Sequence, residues 1–114
     1  MTGPFFQVST TLGADVCGLR LVGELDLDGT AELRSALADV FSHRSERVVL
    51  DLKDLLFCDC AGLNVLLEAS VTADRIGSRL SVEGVRDQVA RLFSLIGADE
   101  LLADRVPPLS PGTV

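Results

Sequence analysis

Residues Val48–Leu67 read VVLDLKDLLFCDCAGLNVLL, and the order of patterns inside this stretch decides the fold. Val48, Val49, Leu50 and Leu52 form an almost unbroken apolar run, which suits a parallel strand inside a sheet with both faces covered. A link through Lys53 and Asp54 leads to a second apolar run, Leu55, Leu56 and Phe57, and then to the tight sequence Asp59-Cys60-Ala61-Gly62. Beyond it Leu63, Leu66, Leu67, Ser70 and Val71 recur at the spacing of one helix face, with Val65 beside them. The first turn of that helix, at Cys60 and Ala61, offers free backbone N–H groups and the positive end of the helix dipole. Function is expected there first.

Working outward, Phe5 to Leu12 has the residue types of an edge strand, with Phe6, Val8 and Thr10 on one face. A turn at Gly13-Ala14-Asp15 and the alternation of Leu19 and Leu21 against Arg20 and Val22 complete a hairpin. The acidic loop GELDLDGT holds Glu24, Asp26 and Asp28 and precedes an amphipathic helix with Leu33, Ala36, Leu37, Val40 and Phe41 on one stripe. Asp28 or Thr30 is placed to cap that helix. Downstream, Gly77 and Ser78 stop the central helix, Arg79–Glu83 alternates as a strand, and Gly84 opens a third helix. Val85, Val89, Leu92, Phe93 and Ile96 form the inner face of that helix, and Leu101 and Leu102 suit a short closing strand or cap.

The sum is an α/β fold, a mixed sheet of four to six strands with helices mainly on one face. Residues 1–104 are expected to form one domain and the proline-rich residues 105–114 a disordered tail.

Composition narrows the function. A chain of 114 residues that is 47% hydrophobic suits one core, burying roughly two-thirds of its unfolded surface. Ten basic against seventeen acidic side chains leave a net charge of −7, which disfavours nucleic acid and anionic lipid. No apolar run reaches the roughly 20 residues of a membrane span, and MTGPFFQVST lacks the pattern of a signal peptide. With three cysteines, an odd number, a disulfide framework is not indicated and a cytoplasmic setting is expected.

Candidate chemistry is sparse. Cys58 and Cys60 form C-x-C, but a zinc site needs two further ligands and only Cys17 and His43 remain, each in another element. Cys58 reads as a small buried residue at a strand end. The thiol of Cys60 faces the positive end of a helix with Asp59 opposing that field, so redox sensing is a reading to weigh. His43 lies at the far end of its helix, which removes a Cys–His pair, and Asp26, Asp28, Asp51, Asp54 and Asp59 lack any glycine-rich phosphate loop beside them. Asp26 and Asp59 read instead as carboxylates that order backbone N–H groups. No enzyme, metal or cofactor is expected.

The run Leu50–Ala69, LDLKDLLFCDCAGLNVLLEA, together with GELDLDGTAEL upstream, resembles the STAS domain of bacterial anti-sigma factor antagonists. The likeness extends over VCGLRLVGELD, VVLDL, the signature F-x-D-x-x-G-L and LFSLIGADELL, almost the whole chain. It implies a module that binds an anti-sigma factor, usually a serine kinase of histidine-kinase-like ATPase fold, and so releases a sigma factor. In that family the kinase phosphorylates the serine of a D-S-x-G signature, and a phosphatase reverses it. Here the signature reads Asp59, Cys60, Ala61, Gly62, with Cys60 in the phosphoacceptor position.

The leading reading is a binding module that docks through Glu24, Asp26 and Asp28, through Phe57, Asp59, Cys60, Ala61 and Gly62, and through Asn64 and Glu68 on the helix, as a monomer or weak homodimer. Its rivals are a STAS accessory subunit of a transporter or signalling assembly, and a redox-responsive binding module.

Overall fold

The computed structural model describes residues 5–95 and Gly97. Their order is β1 (Phe6–Thr11), β2 (Val16–Leu25), a 3-10 turn (Leu27–Gly29), α1 (Thr30–Ser42), β3 (Arg47–Cys58), α2 (Cys60–Ile76), β4 (Arg79–Glu83) and α3 (Asp87–Leu95). The strands make one sheet in the order β1-β2-β3-β4. β1 pairs antiparallel with β2, and β3 runs parallel to both β2 and β4. This is the mixed α/β architecture expected, with β1 at an edge and β3 inside. Ile96, Leu101, Leu102 and the tail at 105–114 lie outside the described residues.

Alternation builds the core. Cys17, Leu19, Leu21 and Leu25 of β2 meet Val48, Leu50 and Leu52 of β3, and Leu33, Leu37 and Val40 of α1 and Leu63, Leu66 and Ala69 of α2 close over them. Val89 and Phe93 bring α3 into the same cluster, with Val85 and Leu92 partly buried beside it. On α2 the buried stripe is Leu63, Val65, Leu66, Ala69 and Ala73, whereas Val71 is 58% exposed, so the stripe lies to one side of the one expected. Gly77 ends α2 in the left-handed region (φ 78°), where its N–H bonds the carbonyls of Ala73 and Asp74.

Two expectations for β3 are corrected. The strand does not break at Lys53-Asp54 but continues to Cys58 through two register shifts against β2. From the pair Arg20–Asp51 to Val22–Asp54, β2 advances two residues and β3 three; from Gly23–Leu55 to Glu24–Phe57 the steps are one and two. Each shift adds a residue to β3, so its buried positions move from a spacing of two (Val48, Leu50, Leu52) to a spacing of three (Leu55, Cys58). Nor are both faces of β3 covered throughout. Val49 and Asp51 are half-exposed and line an open depression of about 250 Å³ with Thr11, Gly18 and Arg20.

Candidate functional site: the sheet end at the start of α2

The ends of β2 and β3, the 3-10 turn and the first turn of α2 converge at one end of the sheet, and two aspartates order them. The Asp59 carboxylate accepts the Gly62 N–H at 2.9 Å, its carbonyl accepts the Leu63 N–H at 2.9 Å, and its own N–H donates to the Leu25 carbonyl at 3.1 Å. Asp59 is therefore the N-cap of α2 and at the same time a tie between α2 and β2. The Asp26 carboxylate accepts the Asp28 N–H at 3.0 Å and caps the 3-10 turn.

That turn corrects the expected start of α1. Gly29, without a capping side chain, occupies its N-cap, and the Thr30 hydroxyl donates to the Leu27 carbonyl at 2.8 Å. The intervening turn moves the capping task upstream, to Asp26.

Gly62 is buried, and its role is packing. A Cβ at this position would lie 2.5 Å from Leu25 Cγ, so only glycine lets α2 settle this closely on the end of β2. On the other side of β3, β4 stops pairing at Asp51, leaving the later part of the strand without a neighbour. The segment entering α3 takes that place. Arg86 Nε donates to the Lys53 carbonyl at 2.7 Å, and the Gln88 amide accepts the Cys58 N–H at 3.1 Å and donates to the Cys58 carbonyl at 3.3 Å. Sequence reading missed Gln88, since a lone glutamine at a helix start carries no local signal of this contact.

Around this frame Cys60 is exposed as the first residue of α2. Phe57 (42% exposed) and Leu27 (69%) are large apolar side chains left open to solvent on the neighbouring segments. Leu27 was also missed; an apolar residue inside the acidic run Glu24–Asp28 was the available sign. Glu24 and Asp28 are exposed, Asp26 and Asp59 are half-buried by their capping bonds, and Ala61 is half-buried. Asn64 and Glu68 are exposed on α2, with Glu68 paired to Arg34 of α1. The first turn thus carries an uncharged tip with acidic groups on its margin.

The three thiols differ sharply. Cys17 is buried with its sulfur 3.0 Å from the Ser45 hydroxyl. Cys58 is buried, and desolvation, with lesser contributions from Asp59 and Cys60, pushes its thiol up to about 12, so it stays protonated at neutral pH. A thiol-specific alkylating reagent is expected to label Cys60 alone in the native protein and all three cysteines after denaturation, read by mass spectrometry.

Asp59 yields a second expectation. Asp59→Ala removes the cap and should cost about 1 kcal/mol, lowering the melting midpoint by several degrees, while Asp59→Asn keeps most of the stability.

The family of STAS domains described as "Mlab, STAS domain" matches residues 8–103. The chain belongs to the STAS domain family. Among curated relatives of this STAS domain, the anti-sigma F factor antagonist of Paenibacillus polymyxa is 32% identical over 85 residues, 74% of this chain and 73% of the relative. Among solved structures, an anti-sigma factor antagonist from Mycobacterium paratuberculosis superposes with a TM-score of 0.78 at 19% identity, covering 96% of this chain and 92% of that one. The anti-sigma factor antagonist SpoIIAA in its unphosphorylated form gives a TM-score of 0.73 at 18% identity, with the same coverage of 96% and 92%. The STAS domain has no described helix long and apolar enough to cross a membrane, and no described cluster of three or more metal-binding side chains.

Proposed function

We propose that this STAS domain is a non-enzymatic, cytoplasmic anti-sigma factor antagonist that docks its sheet end on an anti-sigma factor of the ATPase-fold serine kinase kind and so frees a sigma factor. The observation that carries the reading is the placement of Cys60, exposed at the first residue of α2 immediately after the capping Asp59. Leu27 and Phe57 supply apolar anchors beside it, and Glu24, Asp28, Asn64 and Glu68 a polar margin, the anatomy of a small protein interface.

A phosphoryl group on a serine at this place would bring nearly two negative charges next to Asp59 and break such a contact by repulsion and desolvation. Cysteine presents no alcohol to the kinase. The domain therefore binds in the manner of an unphosphorylated antagonist, and ATP does not switch it off.

Incubation with candidate anti-sigma kinases and ATP tests this. Wild type is expected to remain bound and free of phosphate, whereas Cys60→Ser acquires phosphate and dissociates. Phosphate on Cys60 itself, or a Cys60→Ser variant that binds yet is never phosphorylated, contradicts the role given to this position.

A further inference from the structure

We infer that Gln88 is a positioning residue for docking: its side-chain amide holds the main chain of Cys58 and thereby fixes the turn Phe57–Gly62 that displays Cys60. That this turn meets an anti-sigma factor rests on the function proposed above; that Gln88 holds it does not.

The end of β3 is poorly laddered on both flanks. β4 pairs with β3 only from Arg47 to Asp51, so residues 52–58 have no strand on that side. Toward β2 the register shifts twice before the last pair, Leu25–Cys58. The Asp59 N–H still reaches the Leu25 carbonyl, and the chain then turns into α2. A strand end bonded on one flank opens locally more readily than one bonded on both. Phe57 and Cys60 depend on such an end.

Gln88 supplies the missing flank. A primary amide carries a carbonyl acceptor and an N–H donor side by side, as a peptide group does. The Gln88 oxygen accepts the Cys58 N–H at 3.1 Å and its nitrogen donates to the Cys58 carbonyl at 3.3 Å, so one side chain meets both main-chain groups of one residue. Gln88 is exposed and its amide has water within reach, yet both polar atoms turn to β3. Its own position is set by packing. Val89 and Phe93 are fully buried, and Arg86 Nε ties the same segment to the Lys53 carbonyl. α3 is thereby coupled to the docking turn from the side.

Gln88→Met keeps the length of the side chain and removes both hydrogen bonds. In a Cys60→Ala background two thiols remain, Cys58 at the site and Cys17 at the other end of β2, both buried. Under native conditions Gln88→Met should raise alkylation of Cys58 by about tenfold or more and leave Cys17 at its wild-type rate, read by mass spectrometry. An unchanged Cys58 rate, or equal acceleration at both thiols, overturns the inference, the latter because general loss of stability exposes both. Amide exchange of the unaltered full chain supplies a check that needs no variant. The Cys58 N–H should be protected, and exchange at the rate of the denatured chain overturns the inference. With Cys60 in place, Gln88→Met should bind about tenfold more weakly than wild type to an anti-sigma kinase that wild type binds. Equal affinity would overturn the docking role. Should wild type bind no such kinase, the proposed function fails, and the thiol and amide measurements still decide whether Gln88 holds the turn.

Discussion

Cys60→Asp is expected to weaken binding to the anti-sigma partner by about thirty- to a hundredfold while leaving the fold intact. The new carboxylate would stand beside Asp59 at the head of α2, where it suits the helix dipole and so does not destabilise the free domain. If the sheet end docks as proposed, the same charge must be desolvated in the contact, at a cost of about 2–3 kcal/mol. Cys60→Ala removes bulk without adding charge and should bind within about threefold of wild type. Titration calorimetry against the partner measures all three proteins, with circular dichroism to verify folding. Equal affinity of Cys60→Asp and wild type would place the docking surface elsewhere on the domain.

The second large effect concerns stability. Gly62→Ala should destabilise the domain by about 2 kcal/mol and lower its melting midpoint by about 10 °C. Alanine in a helix normally gains about 1 kcal/mol over glycine, so the sign of this prediction runs against propensity. The reason is contact: the added methyl carbon would sit 2.5 Å from Leu25 Cγ, 2.8 Å from Leu25 Cδ2 and 3.1 Å from the Leu25 carbonyl oxygen. Leu25 is fully buried, and its carbonyl is held by the Asp59 N–H, so neither side chain nor backbone can retreat freely. Leu25→Ala alone creates a cavity at a cost of about 2–5 kcal/mol, but it also makes room for the new methyl. The double variant should therefore be more stable than the sum of the single effects implies, by about 1 kcal/mol or more. A Gly62→Ala protein that melts at or above the wild-type temperature would show that the helix can move off Leu25 without loss.

The two effects bear on one device. Asp59 and Gly62 fix where α2 begins and how closely it approaches β2, and Cys60 between them is what that start displays. Three consecutive decisions, a cap, an exposed side chain and a glycine against the core, are written into four residues. The cap and the signature position of Cys60 were legible from local rules because capping and signature spacing act within one turn of chain, whereas the contact of the glycine with Leu25 was not.

The same rules account for what is legible in the sequence and what is not. Element order, the edge position of β1, the core face of α1 and the stop at Gly77 follow from periodicities and turn residues that are properties of neighbouring positions. The unity of β3 did not follow, because its two extra residues exist only relative to β2, and no pattern within residues 47–58 alone states how the partner strand advances. Val49 belongs to an apolar run in the sequence yet lies half-open on the second face of the sheet, since covering a face is done by distant elements.

By itself, then, the chain's sequence determined an α/β module of STAS type with a cysteine at the head of its central helix, since each of those features is set by residues a few positions apart. Tertiary structure alone decided that Gln88 would stand in for the missing strand beside Cys58 and that Gly62 would press on Leu25. Those relations join segments some 30 or more positions apart, and only the packing of strands and helices against one another brings such segments into contact.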